Sequence, residues 1–410
     1  MIEIVFILGV VLILIKIVGE FFERISLPSV FGEIILGIIL GPLLGFIVLS
    51  SANGSSGHTA LIIKLLGEIG IIFLLFSIGF EKVEMERLIG SVAKSSSVAI
   101  VGMIFPFIAG FLIAIIFSTI IFPSSPIKGS LLIGMAASTT SIGISLRTLV
   151  DIKYLSTMAG STILISSILD SFVSLIILSV VVGIIQTGDV SLYHIIVIFF
   201  KIGIFALLIF IAHKYIFPIL AQLIDRTLVE EANFAIIIGM LFILSYLTER
   251  IGLSTIVGSF LFGMAISTIP RLKTETITYR IRGISNGFFI PFFFFNVGLL
   301  FDFKNISGVG MFGVGLIFSI ILSQIIGGFI GAKIAKFNFR DSLIIGTALI
   351  PRNELTLVVA SLGLSWKILT KDIFSVMVLL VIISILVTPL MLRLVVDRKK
   401  GTLNGVMKEY

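Results

Sequence analysis

An acidic residue in the middle of a long apolar segment is the feature that most constrains this chain. Asp170 is the one charged residue within residues 159–185. A carboxylate at membrane depth is costly and usually faces the interior of a helix bundle or a water-filled cavity. The preceding apolar segment is interrupted at Thr139-Thr140-Ser141-Ile142-Gly143, and such a break is tolerated only where it is buried in protein or lines a cavity. Together these features predict a cation site near the membrane midplane.

The rest of the chain predicts an all-α polytopic membrane protein. Charged residues make up 12% of the sequence, whereas a soluble domain has about 25%. A transmembrane helix needs about 20 apolar residues. Thirteen such runs are present, at about residues 3–19, 28–48, 61–80, 95–121, 129–150, 159–185, 192–220, 231–248, 252–269, 284–301, 307–333, 342–365 and 372–394.

The distribution of charge predicts the orientation of these spans. The net charge is +7, but the basic residues sit in loops beside apolar runs, which is typical of cytoplasmic anchors and not of nucleic-acid binding. With the C-terminus inside, 20 Lys and Arg residues fall in cytoplasmic segments and 5 fall outside. We therefore expect a plasma-membrane protein with its N-terminus outside and its C-terminus in the cytoplasm. The N-terminus lacks the basic region of a signal peptide, so we interpret the first helix as a retained span.

An internal repeat organises the chain. Residues 23–37 match residues 249–263 at an offset of 226 residues. Seven spans separate the copies, so the copies cross the membrane in opposite directions. Weaker matches follow between residues 76–79 and 295–298, and residues 134–141 occupy the place that residues 346–353 occupy in the second half. Inverted repeats are typical of secondary transporters.

The repeat defines the predicted domain organisation. We expect one transmembrane unit over residues 1–395 and a short cytoplasmic tail over residues 396–410. The unit divides into a first repeat at 3–185, a linker helix at 192–220 and a second repeat at 231–394.

The second repeat also contains a broken helix. Residues 342–365 are interrupted at Pro351-Arg352-Asn353-Glu354. Discontinuous helices in matching positions of two repeats indicate a binding site at the repeat interface. We expect the two breaks to cross, with Asp170 beside the crossing.

Candidate ion ligands surround Asp170 in the sequence. A buried carboxylate can bind a proton or a cation, and a hard cation such as Na⁺ prefers oxygen ligands. The other candidates share a hydroxyl group or an unwound backbone carbonyl: Ser166, Ser167, Ser171, Thr139 and Thr140. Two structural alternatives stay open, namely Asp170 paired with Arg or Lys, and hydroxyls bonded to their own helix.

Other charges at membrane depth need partners. We expect Arg352 to form an ion pair with Glu354 or with Glu68, either to hold the broken helix together or to take part in transport. Glu33 has two interpretations, a second ion site or an interface contact, and Lys201 is consistent with snorkelling to the interface.

Cofactor chemistry has no signature in the sequence. There is no cysteine, which excludes disulfides and thiolate metal sites. Phosphate-binding glycine loops and catalytic triads are also absent from the sequence. We expect a transporter that is not an enzyme and that needs no cofactor.

The motifs in combination resemble the monovalent cation/proton antiporters. The residues that carry the resemblance are Leu27-Pro28, Gly32, Gly37, Gly41-Pro42, the run from Leu66 to Glu81, Thr140 to Ile144, Asp170 and Pro351 to Leu355. The match extends to about residue 395 and is to the CPA2-type branch, which contains bacterial and archaeal Na⁺/H⁺ antiporters and Kef-type K⁺ efflux proteins.

The resemblance implies a fold and a mechanism. The fold is one of thirteen helices in inverted repeats, commonly a homodimer, with a core domain from the regions of helices 3–6 and 10–13 that moves as an elevator. Asp170 would be the ion-binding carboxylate, Thr139 and Thr140 would lie at the first crossover, and Arg352 and Glu354 at the second. The transported species would be Na⁺ or Li⁺ and H⁺.

Two departures from the family pattern refine this expectation. The single acid Asp170 replaces the pair found in electrogenic members, and residues 283–300 lack their lysine, which favours electroneutral exchange. The chain ends about fifteen residues after its last span, without the soluble domain of Kef-type proteins, which favours Na⁺ over K⁺. The alternatives are a Kef-type K⁺/H⁺ antiporter and a Na⁺-coupled symporter of organic anions. A channel and a non-transporting ion sensor fit the repeats less well.

Overall fold

A computed structural model gives the fold of the chain. It describes residues 2–25, 27–47, 55–81, 92–122, 125–141, 145, 149, 154, 157–187, 192–219, 231–251, 255–301 and 310–406. These residues form helices and short connections, and no strand occurs among them. The predicted all-α class is confirmed.

The helices are numbered here in chain order. Three short π-helical segments, Ile39–Leu43, Ala212–Ile216 and Ser285–Phe289, continue the α-helices that precede them. The α-helices are α1 (Ile2–Arg24), α2 (Ser29–Ile38), α3 (Ser55–Glu81), α4 (Val92–Ile116), α5 (Ser118–Ile121), α6 (Pro126–Ser138), α7 (Met158–Thr187), α8 (Leu192–Ile211), α9 (Ala232–Arg250), α10 (Thr255–Ser267), α11 (Glu275–Ile284), α12 (Ile290–Leu300), α13 (Gly310–Ile334), α14 (Phe339–Ala348), α15 (Glu354–Ser365) and α16 (Lys371–Val406).

The described helices fit a multi-pass membrane protein. Eight helical stretches in the described part of the chain are long and apolar enough to cross a membrane. Further apolar helices are shorter: Ser29–Leu43, Gly203–Ile219, Gly258–Ser267 and Glu354–Ser365. The count of thirteen spans stays a prediction. Residues 342–365, predicted as one interrupted span, form the separate helices α14 and α15.

The chain divides into two compact units. The first unit comprises Met1–Phe21, Gly32–Arg87 and Leu175–Leu300, and the second comprises Phe22–Phe31, Leu88–Ser174 and Phe301–Tyr410. Helices α3 and α12 belong to the first unit, and the predicted composition of the core domain stays a prediction. Helix α16 continues to Val406, and residues 407–410 of the predicted cytoplasmic tail lie outside the described residues.

Glycine contacts in the first unit reproduce the internal repeat. A Cβ on Gly37 would lie 2.2 Å from a backbone oxygen of α12, and one on Gly298 would lie 2.1 Å from a backbone oxygen of α2. Likewise, a Cβ on Gly79 or on Gly263 would lie 2.3 Å from a backbone oxygen of α10 or α3, respectively. Gly37 matches Gly263, and Gly79 matches Gly298, in the repeat. The same close helix contact, which only glycine permits, is therefore made twice.

The second unit repeats a contact in the same way. A Cβ on Gly134 would lie 2.9 Å from the carbonyl oxygen of Phe107 on α4, and one on Gly346 would lie 2.4 Å from that of Ile325 on α13. Gly134 and Gly346 occupy matching positions of the two repeats. Each half-helix before a break therefore packs closely against the preceding span, and this packing positions the break.

An apolar core holds α7 in the second unit. Its side chain Ile163 packs with buried residues of α4, α13, α14 and α16, which include Val98, Ala332, Ile345 and Leu392. The first part of the helix that carries Asp170 thereby belongs to the same apolar core as α14, the half-helix before the second break.

Candidate functional site

Both predicted helix breaks are present in the second unit. Helix α6 ends at Ser138, and Thr139 is extended with φ −78° and ψ 137°. Helix α14 ends at Ala348, and α15 begins only at Glu354. Pro351 disfavours helical conformation at the residue before it. The Asn353 side chain accepts a hydrogen bond from the backbone N–H of Leu355 at 3.0 Å and so caps α15. Ile142 and Gly143 of the first break lie outside the described residues.

The two breaks are joined to each other. The backbone N–H of Ser141 donates to the carbonyl of Pro351 at 2.7 Å. The hydroxyls of Thr139 and Thr356 lie 2.7 Å apart, and Thr356 also donates to the carbonyl of Ala136 at 3.0 Å. The expected crossing of the two breaks is confirmed by these contacts.

Asp170 lies beside the first break. Its side chain is 3% exposed. Its Oδ2 accepts hydrogen bonds from the backbone N–H of Thr140 at 2.9 Å and from the hydroxyl of Thr140 at 2.7 Å. A backbone N–H has no partner within the helix where the helix is interrupted, so the break itself supplies a hydrogen-bond donor to the carboxylate. The structure thus brings together two of the predicted site residues, on segments 30 residues apart.

The serines of α7 differ in what their hydroxyls contact. Ser166 donates to the carbonyl of Thr162 at 2.6 Å, and Ser171 donates to that of Ser167 at 2.9 Å. These are ordinary bonds of a hydroxyl to its own helix. The Ser167 hydroxyl is buried and has no hydrogen-bond partner among the described residues. Ser167 lies one turn before Asp170, so its oxygen is the best available of the three, and the ligand role of each serine stays a prediction.

The Arg352 side chain binds the backbone carbonyls at the end of α6. It is 1% exposed, and its Nη1 donates to the carbonyls of Ala137 at 2.7 Å and Thr139 at 2.9 Å. Its Nη2 donates to Oε1 of Gln324 at 2.8 Å. The last carbonyls of a helix lack intrahelical donors and form the negative end of its dipole. The guanidinium satisfies them, and its charge also interacts with that of Asp170.

The predicted ion pair of Arg352 is not formed among the described residues. Glu354 lies in the first turn of α15, where a carboxylate is favoured by the helix dipole. Glu68 lies in the first unit and pairs with Lys64 at 3.8 Å, with both side chains 57% exposed. The physical reason is that the freed carbonyls of α6 offer Arg352 fixed acceptors, which the sequence pattern does not display.

Ser384 is a site residue that the sequence analysis missed. The backbone N–H of Arg352 donates to its hydroxyl at 3.0 Å. This contact repeats that of Thr140 with Asp170, since Thr140 and Arg352 match in the repeat and each donates to a side chain on the following long helix, 30 and 32 residues later. Gln324 and Thr356 were also missed, although an amide within the apolar run 307–333 was a usable signal for Gln324.

The remaining membrane-depth charges lie in the first unit. Glu33 is 4% exposed, and its Oε2 has no hydrogen-bond partner among the described residues. Lys16 interacts with it electrostatically and donates to the carbonyl of Asn286 at 2.6 Å. Lys201 is half-buried on α8. These three residues are not part of the hydrogen-bonded group around Asp170.

The chain is similar to known proteins over nearly its whole length. The family model described as "Sodium/hydrogen exchanger, transmembrane" matches residues 9–398. The probable Na⁺/H⁺ antiporter GerT of Bacillus cereus is 32% identical over 372 residues, which cover 91% of this chain and 94% of the relative. The Na⁺/H⁺-K⁺ antiporter GerN of Bacillus cereus is 29% identical over 392 residues, with coverages of 95% and 96%.

A solved structure shares the fold. The sodium proton antiporter MjNhaP1 from Methanocaldococcus jannaschii, determined at pH 8, aligns with a TM-score of 0.69 and 18% identity, over 96% of each chain. The helix breaks, the buried carboxylate and the near-complete family match lead to one conclusion. This chain belongs to the sodium/hydrogen exchanger transmembrane family.

Proposed function

We propose that this protein exchanges Na⁺ (or Li⁺) for H⁺ across the membrane, with both species competing for Asp170. The observation that carries the proposal is the buried Asp170 carboxylate, which accepts two hydrogen bonds from Thr140 at a helix break. Family membership supports the same exchange.

The chemistry of the exchange follows from the ligand set. A Na⁺ ion would be coordinated by the Asp170 carboxylate and by hydroxyl oxygens of Thr140 and Ser167, which are the oxygen donors that hard cations prefer. Protonation of the carboxylate removes the negative charge that holds the cation. Because one carboxylate holds either one cation or one proton, the proposed stoichiometry is 1:1 and electroneutral.

Arg352 has a separate part in this scheme. Its positive charge interacts with the charge of Asp170 when the carboxylate is ionised. Its bonds to Ala137 and Thr139 also hold the end of α6 in place. We therefore assign Arg352 as a positioning residue that keeps the break in the geometry Asp170 needs.

We propose alternating access of the elevator type. Support comes from the residues of the site, since Asp170, Thr140, Arg352 and Gln324 all belong to the second compact unit. A unit that carries every ligand can move with its cargo as one body, without taking the site apart.

We also propose a homodimer in the plasma membrane, with the N-terminus outside and the C-terminus in the cytoplasm. The excess of Lys and Arg in the predicted cytoplasmic loops supports the orientation. The chain has no native cysteine, so single introduced cysteines near either terminus, tested with an impermeant thiol reagent in whole cells, would report the orientation directly. Light scattering of the purified protein would report the dimer.

A K⁺/H⁺ exchanger is the second candidate. The observation in its favour is that the Bacillus cereus relative at 29% identity is described as a Na⁺/H⁺-K⁺ antiporter. The ligand set of hydroxyls and one carboxylate is compatible with either monovalent cation.

Transport in proteoliposomes tests these proposals. The purified protein is reconstituted with a pH dye, and Na⁺, Li⁺ or K⁺ is added separately, with and without a clamped voltage. Proton flux driven by Na⁺, insensitive to voltage and absent in Asp170→Asn, is the expected result. Flux with K⁺ alone would select the second candidate, and strong voltage dependence would contradict electroneutral exchange. No flux with any cation would overturn antiport by this chain alone.

A further inference from the structure

A basic pocket lies in the first unit, which contains none of the site residues around Asp170. Its volume is about 610 Å³. One wall is formed by the end of α8 and the π-helical segment Ala212–Ile216, and the other by the residues that follow α10. The pocket is therefore built where two apolar helices end.

Among the residues that the structure describes, the chargeable side chains that line the pocket are all basic. They are His213, Lys214 and Arg271. The Nδ1 atom of His213 lies 2.9 Å from the carbonyl oxygen of Ala265 on α10. A carbonyl can only accept, so Nδ1 donates and the imidazole is held against the opposite wall. Three basic groups around one cavity match a phosphate group, which Arg and Lys recognise in proteins.

The surroundings of the pocket are apolar. Phe210, which lines it, is 60% exposed, and Leu207 and Ile211 on the same helix are 56% and 42% exposed. In a membrane-spanning helix such side chains face acyl chains. The molecule that satisfies both parts of this surface carries a phosphate at one end and hydrocarbon at the other. Basic pockets between membrane helices on the cytoplasmic side bind anionic lipid headgroups in this way.

We propose that this pocket binds the phosphate of an anionic phospholipid headgroup, with Lys214, Arg271 and His213 around the phosphate and the acyl chains along the exposed face of α8. Lys214 and Arg271 are among the basic residues that the proposed orientation puts on the cytoplasmic side. The proposal is independent of cation exchange at Asp170.

Lipid-dependent stability tests the proposal. The purified, delipidated protein is titrated with phosphatidylglycerol or with phosphatidylcholine of the same acyl chains, and Tm is followed. A ligand that binds the folded state raises Tm with concentration. Lys214→Gln with Arg271→Gln is compared with Lys94→Gln, which removes an exposed lysine of the second unit. The single Lys214→Gln variant serves if the double variant does not fold.

We expect phosphatidylglycerol to raise the Tm of the unmodified protein and of Lys94→Gln more than phosphatidylcholine does. The double variant should bind phosphatidylglycerol about tenfold more weakly, as expected for the loss of two phosphate contacts. An unchanged response in the double variant, or equal effects of the two lipids, would overturn the proposal. Stabilisation of equal size by soluble glycerol phosphate would assign the pocket to a soluble phosphate compound and overturn the assignment to a lipid. The double variant should retain Na⁺-driven proton flux in phosphatidylcholine vesicles, which separates this test from that of exchange.

Discussion

Arg352 donates to the carbonyl of Thr139 at 2.9 Å, so a guanidinium from the second break satisfies a backbone carbonyl of the first break. The two broken helices are therefore stabilised by an exchange of groups between the inverted repeats, in addition to the local cap that Asn353 provides to α15. Arg352 does not need a carboxylate from its own segment, because the freed carbonyls of α6 carry partial negative charge.

Replacement of Arg352 should damage folding and transport together. Arg352→Gln leaves the carbonyls of Ala137 and Thr139 without their donors, at a cost of about 1–3 kcal/mol for each unsatisfied group. Thermal unfolding in detergent should show a clear fall in Tm, and exchange should fall at least about tenfold, which is 1.4 kcal/mol of transition-state energy. Glu354→Gln is the matched control and should have the smaller effect. Equal losses in the two variants would restore the Arg352–Glu354 pair as the essential contact.

Neutralising Asp170 should abolish exchange without unfolding the protein. In Asp170→Asn the side-chain oxygen can still accept from the N–H and hydroxyl of Thr140, so the break keeps its contacts. Proton flux driven by Na⁺ should vanish in proteoliposomes while Tm stays close to that of the parent. Asp372→Asn, in the first turn of α16, is the control and should exchange normally. Exchange in Asp170→Asn would show that the cation binds elsewhere.

Two serines on α7 allow a hydroxyl that is available to bind the ion to be distinguished from one that is bonded to its own helix. Ser167→Ala removes a buried hydroxyl that has no partner among the described residues, and it should raise the apparent KM for Na⁺ several-fold with little change in maximal rate. Ser166→Ala removes a hydroxyl that donates within the helix, so its effect on KM should be smaller. A larger KM effect in Ser166→Ala would reverse the ranking and identify Ser166 as the ligand.

Competition at one carboxylate predicts a defined response to pH. Ligands must be deprotonated to bind a cation, so acidification should weaken the apparent affinity for Na⁺. In the acidic range, KM should rise about tenfold per pH unit by mass action, and the maximal rate at saturating Na⁺ should change little. Initial rates over a matrix of pH and Na⁺ concentrations would measure this. A KM that is independent of pH would contradict a shared site.

A contact between the two repeats at the entry to α7 gives a prediction on stability. The Tyr154 hydroxyl donates to Asp341 on α14. Burial and this hydrogen bond raise the pKa of Tyr154 above its ordinary value, so the fold favours the protonated phenol. The contribution of the protonated Tyr154 side chain to the free energy of unfolding is present below about pH 10 and is lost as the pH rises above that value.

Tyr154→Phe should therefore lower the free energy of unfolding by about 1 kcal/mol near neutral pH, a value reduced by partial solvent exposure. The difference in Tm between Tyr154→Phe and the parent should shrink at strongly alkaline pH. A cycle with Asp341→Asn would isolate the pair. Additive effects of the two changes would mean that the hydrogen bond contributes nothing.

The sequence predicted those features of the candidate site that have a direct physical cause in the residue pattern. The lone acid Asp170 and the break at Thr140 were visible because charge and polar interruptions are rare in apolar segments. The repeat was visible because the glycines, such as Gly79 and Gly298, stand at close backbone contacts that other residues cannot make. These features led to the correct fold and to the correct pairing of the two breaks.

The partners of the buried polar groups could not be read in the same way. The pairing expected for Arg352 with a carboxylate ignored backbone carbonyls, whose availability depends on where α6 stops. Ser384 was missed because a serine in an apolar helix ordinarily bonds to its own backbone. Its hydroxyl does donate to the carbonyl of Val381 at 2.9 Å, and it accepts from Arg352 at the same time.

The contacts of Thr140 with Asp170 and of Arg352 with Ser384 make the two halves chemically unequal. In each half a backbone N–H at the break donates to a side chain on the following long helix, and the acceptor is an acid in the first half and a neutral hydroxyl in the second. The negative charge at the crossing therefore comes from one half, and the positive charge of Arg352 comes from the other. The two halves, although folded alike around their breaks, are not interchangeable in what they can hold.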